Sequence, residues 1–435
     1  MMRGTQNVCW LTAAELARRG AEDIPPEMVS GTHLIYSSPA TLAYNSPGAE
    51  GFGVKRAGLA VPGSVMLIVA PGCCGRNTSL ISALPQYQNR FFYLVLDETD
   101  VVTGRHLRLI PQAVAEIVAG LSTPPTVVML CITCVDALLG TDMERVCRQA
   151  EERAGLPVRP CYMYALTREG RCPPMVHVRQ SVYSLLEKRE KNPAAANLLG
   201  YFAPLEDDCE LYSLLTQAGV RTVRELSRCR DFSEYRAMAE ANFNLVLNPE
   251  ARFAARDFEE RLGIPSIELT RLYQPDKIHN QYMALGAALG VALDDIAPMA
   301  RLQAAAARLR ETYGVLTFAV GECLNGDPFE LSLALLRQGF RVSEIYGTLA
   351  PEKYVWLRHI ARLSPETRVY SNLEPTMLYY DCGALPADVT LGKDAGFYHP
   401  DCPNLAWNQD VQPFGHMGAA HLYEAVAQLL EGGAV

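Results

Sequence analysis

No stretch of this chain approaches the ~18 uninterrupted apolar residues of a membrane span. The longest candidate, Val127 to Gly140, is short and carries Asp136. A membrane-spanning helix is therefore not expected. The first ten residues, Met1 to Trp10, lack the apolar core of a secretory signal, so a cytoplasmic location is expected. Basic runs are also missing: 39 Lys+Arg stand against 48 Asp+Glu, for a net charge of −9. Nucleic acid is not an expected partner of such a surface. There is no low-complexity segment and no short repeat. With 49% hydrophobic and 20% charged residues, a disordered or collagen-like chain is ruled out.

What is present in excess is cysteine. There are 13, an odd number, in a chain with no export signal. A disulfide framework is not expected, which leaves metal binding or core packing. Seven are scattered singly: Cys9, Cys147, Cys161, Cys209, Cys229, Cys323 and Cys382. These read as small buried hydrophobes. Cys172 and Cys402 each precede a proline and read as structural. The remaining four form two groups, Cys73-Cys74 and Cys131-x-x-Cys134.

The 435 residues suggest about three domains. Short apolar runs recur, each followed by a helical pattern. Val65 to Ala70, Phe91 to Leu96 and Thr126 to Cys131 are apolar on both faces, as buried parallel strands are. Arg108 to Leu121 between them has helical spacing. The pattern restarts with strands Ala196 to Ala203, Phe243 to Leu247 and Ile264 to Leu269 around the helix Glu210 to Ala218. Helix-like sequence runs from Asp276 to about Thr312. A last set comprises Val315 to Val320, helix Pro328 to Arg337, Val342 to Tyr346 and Ala387 to Leu391. The expected fold is α/β, with three doubly wound Rossmann-like domains and mostly parallel sheets around a central cleft. The expected boundaries are 1–192, 193–312 and 313–411, with a C-terminal helix in 412–435 returning to the first domain. Asn248-Pro249-Glu250 predicts a capped helix start, with Phe253, Ala254, Phe258 and Leu262 as its buried stripe and Gly263 as its end.

In open α/β sheets, ligands bind beyond the carboxyl ends of strands. Cys73 and Cys74 follow the first strand. Cys131 closes the third, and Cys134 lies just beyond. Two strand ends thus present cysteine pairs to one rim. An iron–sulfur cluster, a zinc ion and a redox dithiol all fit four such thiols.

These residues resemble a known family. Pro71-Gly-Cys-Cys-Gly75 is similar to the cysteine loop of nitrogenase component 1 proteins. Glu98-Thr-Asp-Val-Val-Thr-Gly104 with Leu107, and Cys134-Val-Asp-Ala-Leu-Leu-Gly-Thr-Asp142, resemble two further segments of that family. Phe243 to Leu247 with Phe258 to Pro265 looks like its central strand and helix, and Pro413 to Ala419 like its last turn. The motifs run in order over nearly the whole chain. The resemblance implies an oxidoreductase subunit that relays low-potential electrons. They would come from a separate ATP-dependent iron–sulfur reductase, pass through an interface iron–sulfur cluster (4Fe-4S, or larger and P-cluster-like), and reach a substrate between the domains. It implies a second component 1 subunit as partner, identical or homologous. Cys74 and Cys134 align with cluster ligands; Cys73 and Cys131 are extra thiols beside them.

The sequence also departs from the family. The family's earlier cluster cysteine has no counterpart in Thr41 to Ala49. Where nitrogenase holds its catalytic cofactor through a cysteine, this chain has Asn248, and His399 and His416 lie out of register with the histidine ligand. No iron–molybdenum cofactor is therefore expected. Asn248, Arg252, Glu322 and the turn Cys323 to Asp327 are candidate cleft residues, with capping as their other role. Tyr379, Tyr380, Trp356 and Trp407 could wall a tetrapyrrole-sized pocket or serve as core. Two further readings stand beside the reductase: a scaffold on which a metallocofactor is matured, and a metal-free binding protein.

Overall fold

A computed structural model describes residues 3–5, 8–28, 53–72, 81–133, 135, 139–163, 172–380 and 385–432. β1 (Arg3–Thr5) and β2 (Val8–Thr12) open the chain. β3 (Val65–Ala70), β4 (Phe91–Val95), β5 (Val128–Ile132) and β6 (Val158–Tyr162) form one parallel sheet in the order β4-β3-β5-β6. β7 (Asn192–Leu199), β8 (Thr222–Glu225), β9 (Ala241–Val246) and β10 (Ser266–Glu268) form a second parallel sheet, β10-β9-β7-β8. β11 (Thr317–Val320), β12 (Arg341–Tyr346), β13 (Arg368–Tyr370), β14 (Val389–Leu391) and β15 (Asn404–Leu405) make a parallel third sheet. β2 adds to it antiparallel beside β13, with β1 outside. The fold is α/β with three mostly parallel sheets, as the sequence predicts.

The first two sheets belong to a unit of residues 52–204 and 220–270; the third belongs to a unit of residues 1–51, 205–219 and 271–435. In the first sheet, burial on both faces explains the continuous apolar runs. Val65, Leu67, Val69, Val128, Leu130 and Ile132 face the core that Ile110, Val114 and Val146 also enter. Met66, Ile68, Met129 and Cys131 point the other way, toward Ala57, Val178 and Val182. This is the two-residue alternation of a strand, with both sides dry. β4, at the sheet's edge, is only partly covered.

Four details differ from the sequence reading. The N-terminal strands join the third sheet rather than the first, because Val8 and Trp10 bury beside Tyr370, and the Arg368 guanidinium lies 4.2 Å from the Trp10 ring centre. The last helix, Gly415–Gly432, packs within the third sheet's unit on Ile296–Tyr313: Tyr313 Oη donates to Ala427 O at 3.4 Å, and Tyr423 stacks on Phe340. The long run after Asp276 is two helices, Pro275–Leu289 and Ile296–Tyr313. Gly290, at φ 73°, takes the left-handed conformation that ends the first of them. Phe253 is 45% exposed and lies beside Arg256, while Ala254, Phe258 and Leu262 are buried as expected.

The capped start after β9 is present. Asn248 Oδ1 accepts from Glu250 N at 2.9 Å, and Pro249–Ala251 forms a 3-10 turn into the helix Arg252–Asp257. Asn248→Asp, another good cap, should leave stability within about 1 kcal/mol, whereas Asn248→Ala should cost roughly 0.5–2 kcal/mol. Thermal unfolding of both variants checks this; loss of bound metal from either would contradict the capping role.

Candidate functional site

Each sheet has one point where the order of its strands reverses. In the first sheet the chain moves from β3 to β4 on one side and then to β5 on the other. β3 and β5 are direct neighbours, pairing Ile68 with Cys131 and Val69 with Ile132. A crevice opens beyond the carboxyl ends of such a pair, since the two following connections diverge to opposite faces. The strand ends are tied in place. Leu96 N donates to Ala70 O at 3.0 Å, and Met163 N to Ile132 O at 2.8 Å. Thr133 Oγ1 lies 3.5 Å from Val69 O. Along the same edge Asp97 caps the short helix Glu98–Val102 in a reciprocal box with Asp100, which Arg105 pairs.

Cys73, Cys74 and Cys134 lie outside the described residues. The chain brings their flanking segments, Ala70-Pro71-Gly72 and Ile132-Thr133, to this reversal point. Cys131 is described, and it belongs to the core. It is fully buried within β5, on the face shared with Met129, and its register partner on β6 is Cys161. Burial, with a hydrogen bond to Cys131, pushes the Cys161 thiol well above its usual range. A thiol kept protonated is a poor metal ligand, because the thiolate is the donor. Both side chains lie in the buried core of the sheet. Cys147 and Cys209 are likewise buried, Cys172 is exposed, and no described cysteine is in a disulfide.

The second sheet reverses between β7 and β9. There Gly200, at φ 129°, approaches so closely that a Cβ would stand 2.7 Å from Asn248 N. The Gly200 carbonyl accepts from Arg179 Nε at 2.9 Å and Nη2 at 2.7 Å, and Arg179 also pairs with Glu250. A buried arginine thus ties the Gly200 and Glu250 segments together at this rim. Arg252 pairs outward with Glu268 at 2.8 Å.

The third sheet reverses between β11 and β14, and its crevice is filled by Asp394. That carboxylate accepts from Glu322 N at 2.8 Å, Cys323 N at 3.1 Å and Asn372 Nδ2 at 2.7 Å. Asn372 Nδ2 also donates to Glu322 Oε1 at 3.0 Å. Burial raises both carboxyls above their ordinary range. Asp327 caps the helix Pro328–Arg337 and pairs with Lys353. Most of the cleft residues singled out from sequence are therefore occupied in capping and turn contacts.

Of the histidines and aromatics, His416 is buried against Asp295 Oδ2 at 2.8 Å, and burial lowers its pKa. Trp407 is core, donating to Tyr273 Oη at 2.7 Å. Tyr379 is exposed. Tyr380 and His399 come together, joined by two residues that sequence reasoning missed, Glu344 and Tyr346. Their only sequence signal was an acidic and an aromatic residue two apart on one strand face. On the same unit's surface, His421 holds a carboxylate at each ring nitrogen, Glu206 at 2.9 Å and Asp208 at 3.1 Å. The hydrogen bond to Glu206 raises the His421 pKa, which favours the protonated ring. Among the described residues no helix is long and apolar enough to cross a membrane.

Comparison with known proteins agrees with this architecture. The nitrogenase iron-molybdenum cofactor biosynthesis protein NifE of Nostoc sp. (strain PCC 7120) is 28% identical over 232 residues, 52% of this chain and 48% of that protein. NifE of Klebsiella pneumoniae is 28% identical over 218 residues, 45% of this chain and 46% of its own. The matched region spans about half the length of these relatives. The solved structure of nitrogenase Cp1 at pH 6.5 superposes with a TM-score of 0.70 over 96% of each chain at 15% identity, a likeness of fold. Residues 50–401 match the family of nitrogenase component 1 type oxidoreductases, and the chain belongs to that family.

Proposed function

We propose that this chain is one subunit of a nitrogenase-like reductase. In this reading it holds an iron–sulfur cluster at the rim of its first sheet and receives electrons from an ATP-dependent iron–sulfur reductase. The observation that carries the reading is the adjacency of β3 and β5 at the strand-order reversal. Neighbouring strands lie about 4.8 Å apart. Cys73 and Cys74 follow Ala70 by three and four residues, and Cys134 follows Ile132 by two. At about 3.3–3.6 Å per residue the chain length allows all three thiols to converge within the span of one cluster. The family's group therefore fits these residues. Cys74 and Cys134 would hold it, with Cys73 replacing the ligand absent from Thr41 to Ala49. Cys131, buried in β5, is left out of the set in this reading. The cluster would supply one-electron transfer at low potential. The chain's part is to hold it, keep water from it and present it to a second component 1 subunit.

The matching relatives named as cofactor biosynthesis proteins support a second reading, a scaffold for metallocofactor maturation. Turnover separates the two. The chain, purified without oxygen, is expected to contain iron and sulfide, to sediment as a dimer or heterodimer, and to oxidise a cognate reductase under ATP. Release of a bound metallocofactor to an acceptor protein, without turnover, would favour the scaffold. A monomer free of iron and sulfide would remove both.

A further inference from the structure

Inside the third sheet's unit, four side-chain atoms converge on one point. Glu344 and Tyr346 extend from the same face of β12, His399 lies at the end of the helix Lys393–Tyr398, and Tyr380 follows the turn Pro375–Tyr379. Glu344 Oε2 is 3.0 Å from Tyr346 Oη, 2.9 Å from Tyr380 Oη and 2.8 Å from His399 Nε2. Tyr346 Oη is 2.7 Å from Tyr380 Oη and 2.8 Å from His399 Nε2, and Tyr380 Oη is 3.2 Å from that nitrogen. All six edges of a tetrahedron are therefore short. Glu344, Tyr346 and His399 are 1%, 0% and 5% exposed.

Six separate two-centre hydrogen bonds cannot be drawn along these edges. Each short contact needs a proton, and these groups bring few. Each phenol has one and His399 Nε2 at most one, so an ionised Glu344 leaves three contacts without hydrogen. Even a protonated Glu344 leaves two. Tyr380 Oη also lies 2.8 Å from Glu344 Oε1, so without an ion the remaining edges are shared hydrogen bonds or lone-pair contacts in a dry site. A cation at the centre resolves the deficit. With edges of 2.7–3.2 Å the centre is about 1.8 Å from each corner. An outward relaxation of about 0.2 Å reaches the ~2.0–2.2 Å of zinc–nitrogen and zinc–oxygen bonds.

We propose that Glu344, Tyr346, Tyr380 and His399 form a four-coordinate site for a first-row metal ion, distinct from the cysteine rim. The donor set is three oxygens and one imidazole nitrogen, without sulfur. That excludes soft ions such as Cu(I) and suits zinc(II) or ferric iron. Either ion can be neutralised. The carboxylate with one phenolate balances a divalent ion, and with two phenolates a trivalent one. Binding therefore releases one or two phenol protons and leaves no net charge buried. Such a site would pin β12 to the segments around Tyr380 and His399, at the carboxyl edge of the sheet.

The test uses the full chain, stripped by chelation and refilled with zinc(II) or ferric iron separately. Elemental analysis should count one more ion per chain in the unsubstituted protein than in Tyr380→Phe or His399→Gln. X-ray absorption of the extra ion should show oxygen and nitrogen neighbours and no sulfur. A visible phenolate-to-iron band identifies the ferric form, whereas the zinc form is colourless. Tyr380→Phe keeps the ring, so its fold is expected to survive, and its melting temperature should no longer rise on adding the ion. Equal ion counts and equal melting in Tyr380→Phe and the unsubstituted protein, for both ions, would overturn the site. The cysteine loops are untouched in these variants, so this result is independent of the reductase reading.

Discussion

Cys74→Ser and Cys134→Ser are each expected to lose most of the bound iron, while Cys131→Ser keeps it and loses stability. Serine preserves size but is a far poorer soft ligand than a thiolate. At the rim that difference removes a ligand. In the core it replaces a thiol that packs among Met129, Ile68 and Cys161 with a hydroxyl that must find a partner there. Burying an unpaired hydroxyl costs about 1–3 kcal/mol on mutational scales. Cys73→Ser should fall between, losing part of the iron, because it is the nearest thiol to replace the missing upstream ligand. The measurement is iron per chain with the cluster spectrum, for all four variants prepared without oxygen, together with thermal unfolding. Full iron retention in both Cys74→Ser and Cys134→Ser would sink the cluster assignment. Iron loss in Cys131→Ser at unchanged stability would return that residue to the ligand set.

The contrast between Cys131 and its neighbours shows what a sequence makes legible. β3 and β5 could be read because both faces of each strand are buried, so every position is apolar and the run stands out. That same property hid the orientation of Cys131. With no polar face to set the alternation, the pattern does not say which side a residue takes. The cysteine loops could be placed at strand ends, but their adjacency could not, since it depends on β4 leaving to the far side of β3. The N-terminal strands escaped for a different reason. β2 pairs with β13, whose contacts lie more than 350 residues away in the chain, and local periodicity carries no information about such a partner. The Asn248 cap was legible because it is local: three consecutive residues fix it. Glu344 and Glu330 were not, because an acidic residue inside an apolar run signals burial only once its partners are known.

Glu330 supplies the other large expected effect, a loss of stability as pH rises from about 4.5 to about 7. It sits in the helix Pro328–Arg337, 1% exposed, and accepts from Tyr273 N at 3.0 Å and from Gln274 Nε2 at 2.9 Å. Burial pushes its carboxyl from 4.5 up to about 7, with Asp327 adding to the rise and the Gln274 and Tyr273 donors opposing it. The site can also accommodate the neutral acid. Gln274 Oε1 is buried without a partner, so it can take the carboxyl proton once the amide turns. Between the two values the unfolded chain has released the Glu330 proton and the folded chain still holds it. The unfolded state then binds fewer protons, and by linkage stability falls as pH rises through this window and levels off above it. The rise from 4.5 to about 7 corresponds to roughly 3 kcal/mol at 1.36 kcal/mol per pH unit. Glu330→Gln removes the titration while keeping the shape and a carbonyl acceptor. The melting temperature of the unsubstituted protein minus that of Glu330→Gln should therefore decrease from pH 5 to pH 8, a comparison in which the other titrating groups cancel. Parallel profiles across that range would mean that Glu330 is ionised throughout and that its donors outweigh its burial.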